Sequence, residues 1–107
     1  MNPAKFEVWL AQYPWKSSMD ARPWVVVETT YPGVYGCFPI SGQRYGEPCF
    51  EIPRGHPEFA ATGLTKTSYV YDGSIIELGA SHFLKKKGRM SGSLLMEFLE
   101  YSGLPGP

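Results

Sequence analysis

Apolar and polar residues follow one another along this chain in short spans, and most of those spans lack a helical period. Residues 5–11 (KFEVWLA) begin with alternation and are rich in β-formers, which predicts a first strand that Pro14 ends. Residues 15–21 (WKSSMDA) are polar and aperiodic, the pattern of an exposed loop. The β-branched run at 23–29 (PWVVVET) is the strongest strand signal in the chain. Its apolar side chains fall at successive positions, which predicts a strand covered on both faces. Tyr31-Pro32-Gly33 marks a turn. A third strand at 34–40 carries Pro39 near its end, where a missing donor is tolerated.

A Gly-containing loop at 41–47 leads to a short alternating strand at 49–52, and residues 53–63 form an irregular excursion. Strands at 66–71 and 74–78 flank Asp72-Gly73, a step that fits either a tight hairpin or a bulge within one bent strand. Residues 80–83 suit a single helical turn, and 85–90 a basic edge strand. Ser91 then caps a helix through Tyr101, with Leu94, Leu95, Phe98 and Leu99 on one face and Gly103 as its stop. Six or so short strands and one amphipathic helix predict a mainly β fold, a small barrel closed by a C-terminal α-helix. We expect one domain over 1–107, with 104–107 as a frayed tail.

Composition narrows the class. Ten Lys plus Arg balance ten Asp plus Glu across 107 residues, which excludes a strongly basic histone-like binder and an acidic disordered tail. Hydrophobic residues at 43% are too many for disorder. Twelve Gly and ten Pro argue against long helices. Cys37 and Cys49 make neither a disulfide framework nor the spacing of a structural zinc site. The N-terminal residues lack a basic region followed by an apolar run, and no stretch approaches the roughly 18 apolar residues of a membrane span. The expectation is a cytoplasmic protein without a membrane partner.

Phosphate-loop, nucleophile-elbow and H-E-x-x-H patterns are absent from the sequence. His56 and His82 lie in separate loop-like segments and suit surface or capping roles better than a metal site. Arg22 stands where a polar loop meets a central strand, which fixes its direction. Ser41 and Gly42 stand at the end of another strand: a hydroxyl, then a residue that lets a backbone come close. A guanidinium and a hydroxyl at neighbouring strand ends suit a phosphate diester, although the sequence leaves open whether these two segments pair.

An ordered series of segments now becomes informative. Trp9, Arg22-Pro23-Trp24-Val25-Val26-Val27, Phe38-Pro39-Ile40-Ser41 and Phe50-Glu51-Ile52-Pro53 are followed by Gly63-Leu64, Ser68-Tyr69-Val70 and Leu84-Lys85-Lys86-Lys87-Gly88-Arg89-Met90-Ser91 before the helix. Over roughly residues 5 to 104 this series resembles the MazF/PemK (Kid) toxins of type II toxin–antitoxin systems. The resemblance implies an SH3-like barrel with a C-terminal helix. It also implies a sequence-specific endoribonuclease acting on single-stranded RNA without metal or cofactor, homodimeric, and silenced by a cognate antitoxin. In that family the 2′-hydroxyl attacks the adjacent phosphate.

By the same resemblance Arg22 is the arginine that stabilises the pentacovalent phosphate, and Ser41 stands where the family usually has Thr. The acid that many members carry in the loop before the arginine corresponds to Ser17, with Asp20 close by as a substitute or a solvated loop residue. Gly42 replaces a frequent Ser. Asp72 aligns with a strand-end acid if a one-residue shift is allowed, otherwise Gly73 takes that place, and Asp72 is then either an acid–base partner or a turn residue. Gln43 and Arg44 complete the expected substrate-binding loop. Four cations within 85–89 suit either an RNA backbone or a solvated edge, and Trp15 or Tyr45 suit stacking on unpaired bases. The alternative is a binding module that keeps the barrel without catalysis, as in gyrase-poisoning CcdB-type relatives. The ending Gly103-Leu104-Pro105-Gly106-Pro107 does not resemble the ending of that type.

Overall fold

The computed structural model describes residues 2–14 and 20–106. Its centre is the strand β2 (Ala21–Tyr31), which pairs antiparallel with β1 (Glu7–Gln12) on one side and β3 (Val34–Ser41) on the other. The run of apolar side chains in β2 is buried on both faces, as the sequence pattern predicts. Val25 and Val27 join one core cluster, and Trp24 and Val26 join a second.

The first cluster lies between the sheet and the helix α1 (Gly92–Ser102), whose Leu94 and Phe98 are fully buried among Val25, Phe38, Ile40 and Ile52. Each such side chain contributes roughly 1.5–3 kcal/mol by leaving water. Leu95, Leu99 and Leu104 pack against the same cluster, so the chain is held to the core as far as Leu104. The second cluster is aromatic, with Trp9 and Tyr35 meeting Phe83 edge to face at 5.7 and 5.3 Å.

The remaining strands are β4 (Phe50–Ile52), β5 (Ser68–Val70), β6 (Ile76–Gly79) and β7 (Phe83–Arg89). The seven-stranded sheet runs β4-β5-β3-β2-β1-β7, with β6 also on β3. Among the described residues no pairing joins β4 to β7, so the expected barrel is an open antiparallel sheet at that seam. Asp72-Gly73 is not the tip of a hairpin. Both β5 and β6 pair with β3, through Ile40↔Val70 and Cys37↔Ile76, so the residues between them bulge out of what is in effect one interrupted strand.

Irregular segments are bound by side chains. The His56 ring meets Glu97 of α1 through Nε2 at 3.1 Å, while its Nδ1 accepts the Glu58 N–H at 3.0 Å. Ser91 precedes α1 as the sequence predicts, but its hydroxyl donates to the Glu58 carboxylate at 3.4 Å and makes no cap bond to the helix. A carboxylate at that end complements the helix dipole. Gly63 and Gly88 bring the 3-10 turn Ala60–Thr62 onto β7. A Cβ on Gly63 would collide with the Lys87 carbonyl oxygen, and one on Gly88 with that of Ala61. No helix of the described residues is long and apolar enough to cross a membrane.

Candidate active site

Antiparallel pairing of β2 with β3 sets Trp24 opposite Pro39. Arg22 lies two residues before Trp24 on β2 and Ser41 two residues after Pro39 on β3, so both stand at the same end of this strand pair, on the face of Trp24 and Pro39, since strand side chains alternate. Both line one cleft of about 520 Å³ together with Gly42 and Gln43. The two residues that the sequence leaves unlinked are therefore neighbours across two strands.

The floor of the cleft is held by a phenol. Buried Tyr71 donates from Oη to the Gln43 carbonyl oxygen at 2.7 Å and accepts the Tyr45 N–H at 2.7 Å. Within the same loop Ser41 Oγ accepts the Gln43 N–H at 3.1 Å, which orients the hydroxyl and leaves its proton for a bound group. Tyr45 is 55% exposed, its ring tilted against Tyr71 at 5.5 Å and its hydroxyl on the Gln43 side chain at 3.2 Å. An aromatic face so held is available for stacking. Tyr13 also lines the cleft; burial raises its phenol pKa, and the neighbouring Arg22 guanidinium partly offsets the rise.

Charge in the cleft is unbalanced. Among the described residues Arg22, Lys66 and Lys87 line it, against the single carboxylate of Glu47. Lys87 belongs to the basic run read from the sequence, and it is the member that turns into the cleft. Lys86 instead binds Glu7 at 2.8 Å, and Lys85 and Arg89 are exposed. This excess of cations suits an anion, and guanidinium and ammonium groups are the usual partners of phosphate.

Other expected site residues lie elsewhere. Asp72 does not line the cleft; its carboxylate accepts the Tyr101 hydroxyl at 3.3 Å on the surface beside α1. Burial raises the Tyr101 pKa, the Asp72 charge adds to that, and Arg44 counteracts it, which puts Arg44 in the same neighbourhood. Asp20 is exposed just ahead of β2. Ser17 and Trp15 fall outside the described residues. Lys66, Glu47 and Tyr71 were not singled out by the sequence, because each reaches the cleft from a segment whose local pattern is unremarkable. Among the described residues no group of three or more His, Cys, Asp or Glu side chains is placed to hold a metal ion.

No protein-family model and no curated protein matches this chain by sequence. Comparison of folds does find matches. The whole chain superposes on the whole of a solved structure described as an endoribonuclease in complex with its cognate antitoxin from a mycobacterial species, with a TM-score of 0.62 and 18% identity. The chain therefore has the fold of that endoribonuclease, a mainly β antiparallel sheet with a C-terminal helix, in keeping with its resemblance to the MazF/PemK toxins.

Proposed function

We propose that this protein is the toxin of a toxin–antitoxin pair, a cytoplasmic endoribonuclease that cleaves single-stranded RNA at particular sequences without a metal ion or cofactor. The observation that carries the proposal is the meeting of Arg22 and Ser41 in one cationic cleft. The shared fold supports it, since the solved structure is named as an endoribonuclease bound to its antitoxin. By the same reasoning a cognate antitoxin silences the protein, which acts as a single-domain homodimer.

In this reading the scissile phosphate lies between Arg22 and Ser41. The ribose 2′-oxygen attacks phosphorus, the bond to the 5′-oxygen breaks, and the products end in a 2′,3′-cyclic phosphate and a 5′-hydroxyl. The 2′-hydroxyl gives up one proton and the departing 5′-oxygen gains one. Arg22 donates to the non-bridging oxygens as their charge grows, and Ser41 donates its hydroxyl proton to the same group. Preorganised donors of this kind are typically worth about 10²–10³ in rate each. Glu47 is the carboxylate of the cleft and is assigned as acceptor of the 2′-proton, with Asp72 the more distant candidate.

The test is cleavage of a mixed-sequence single-stranded RNA by purified protein in the presence of EDTA, with the product ends mapped. Cyclic-phosphate and 5′-hydroxyl ends are expected, with activity lost in Arg22→Ala and reduced about 10²-fold in Ser41→Ala. Cleavage that survives Arg22→Ala, or that requires a divalent ion, would overturn the proposal.

A further inference from the structure

The glycine at position 42 has a neighbour that gives it a purpose. The Lys66 side chain lies across Gly42 so closely that a Cβ there would collide with Lys66 Cε and stand 2.7 Å from Nζ. The φ of Gly42 is not in the left-handed region, so its backbone does not demand glycine. What demands it is the passage of a lysine. Lys66 makes no ion pair among the described residues, and it lines the cleft beside Ser41. A long cationic side chain normally spreads over many rotamers; here the glycine gives it a track over the end of β3. From this geometry we infer that Lys66 is a phosphate-binding residue of the cleft, laid over Gly42 so that its ammonium engages a backbone phosphate of the bound single strand next to the one held by Arg22 and Ser41.

The inference rests on the ribonuclease reading and deepens it by giving the cleft more than one phosphate contact. A single phosphate would be served by Arg22 and Ser41. A further ammonium from the segment before β5, with Lys87 of β7, lines the cleft for a chain of phosphates. Lys66 donates and positions and takes no part in proton transfer. Its removal should therefore change affinity for the strand more than the rate of the bound complex.

Because the colliding atoms are the far end of a flexible side chain, Gly42→Ala can be accommodated by moving Lys66 alone. That makes the pair suitable for a double-mutant cycle. The experiment measures binding of a fluorescein-labelled, mixed-sequence 2′-O-methyl RNA, which lacks the attacking hydroxyl, across a range of salt concentrations. The proteins are wild type, Lys66→Met, Gly42→Ala and the double variant, with thermal melts to verify folding. Lys66→Met is expected to weaken binding roughly fivefold, the order of one exposed charge contact, and to lower the salt slope by about 0.7, the value for one phosphate on a single strand. Gly42→Ala should weaken binding to a similar degree in wild type and hardly at all once Lys66 is gone.

An unchanged salt slope in Lys66→Met, with wild type still binding, would overturn the role of Lys66 and leave the ribonuclease reading standing. A Gly42→Ala loss that persists in the Lys66→Met background would overturn the coupling of the two residues. Failure of wild type to bind the RNA, with binding of a polyglutamate peptide in its place, would assign the cations to an acidic protein segment and overturn both readings.

Discussion

Tyr71 and Gln43 are 28 residues apart in the chain and are joined by a 2.7 Å hydrogen bond from phenol to carbonyl. Through that bond, and through the Tyr45 N–H that the Tyr71 phenol oxygen accepts, one side chain fixes the path of the loop after Ser41. Tyr71→Phe keeps the ring and removes both bonds. We expect kcat/KM for RNA cleavage to fall about tenfold, mainly through KM, because a loop displaced by less than an ångström misplaces the substrate. Single-turnover kinetics at varied RNA concentration separate this from a catalytic loss. A fall confined to the rate at saturation would contradict a positioning role.

In the proposed reaction two carboxylates are candidates to take the proton of the 2′-hydroxyl. Glu47 lines the cleft, whereas Asp72 is turned towards Tyr101. Glu47→Gln should lower cleavage about 10²-fold, the usual worth of a general base, and flatten the acid limb of the pH–rate profile. Asp72→Asn should alter cleavage by less than about threefold, since its distance from the cleft leaves it no proton to take. The reverse ranking would restore Asp72 as the base.

Acid stability should depend on Glu7. Burial raises its pKa, but donors from Lys86, Trp9 and the Ala4 N–H outweigh that and hold the carboxyl below its ordinary 4.5. A carboxyl with a depressed folded pKa stabilises the protein above the ordinary value. That stabilisation drains away as pH falls through the lower one. Urea midpoints of wild type and Glu7→Gln should therefore differ most near neutrality and converge from roughly pH 5 downwards. A gap that stays constant through that window would exclude the linkage.

Gly63 has φ 73° and faces the Lys87 carbonyl. Gly63→Ala meets both the left-handed backbone and a rigid oxygen, so the turn must leave β7. A loss of about 1–3 kcal/mol is expected from the backbone strain alone, read as a melting temperature lower by several degrees. Gly46→Ala, where a Cβ meets open space, is the control and should melt as wild type.

Much of the fold was legible because burial imprints a period on the chain. Trp24 to Val27 announce a strand covered twice, and Leu94 and Phe98 announce a helix with one buried face. The 72–73 step was ambiguous for a physical reason. A hairpin and a bulge place the same turn residues between the same strands, and only the partner strand distinguishes them. Arg22 and Ser41 were legible as chemistry, but their juxtaposition required the register of β2 on β3. Lys66 was not legible, since a surface lysine ahead of a strand looks alike whether it faces water or crosses a glycine.

The double duty of β3 bears on the order in which the chain assembles. β3 adjoins β2 through Pro32-Gly33, with Gly33 at φ 77° as a tight local turn, whereas β5 and β6 reach its other edge from far along the chain. Closing long loops before any contact rewards them is slow. The β2–β3 hairpin should therefore be the nucleus, and the loop bearing Tyr71 should settle last. In chevron kinetics, Val26→Ala should slow refolding while Val70→Ala chiefly speeds unfolding; the opposite pattern would place the nucleus elsewhere. The cleft, built where the late strand meets the early hairpin, would then be complete only in the finished fold, so that a nascent chain has no formed site for the proposed activity.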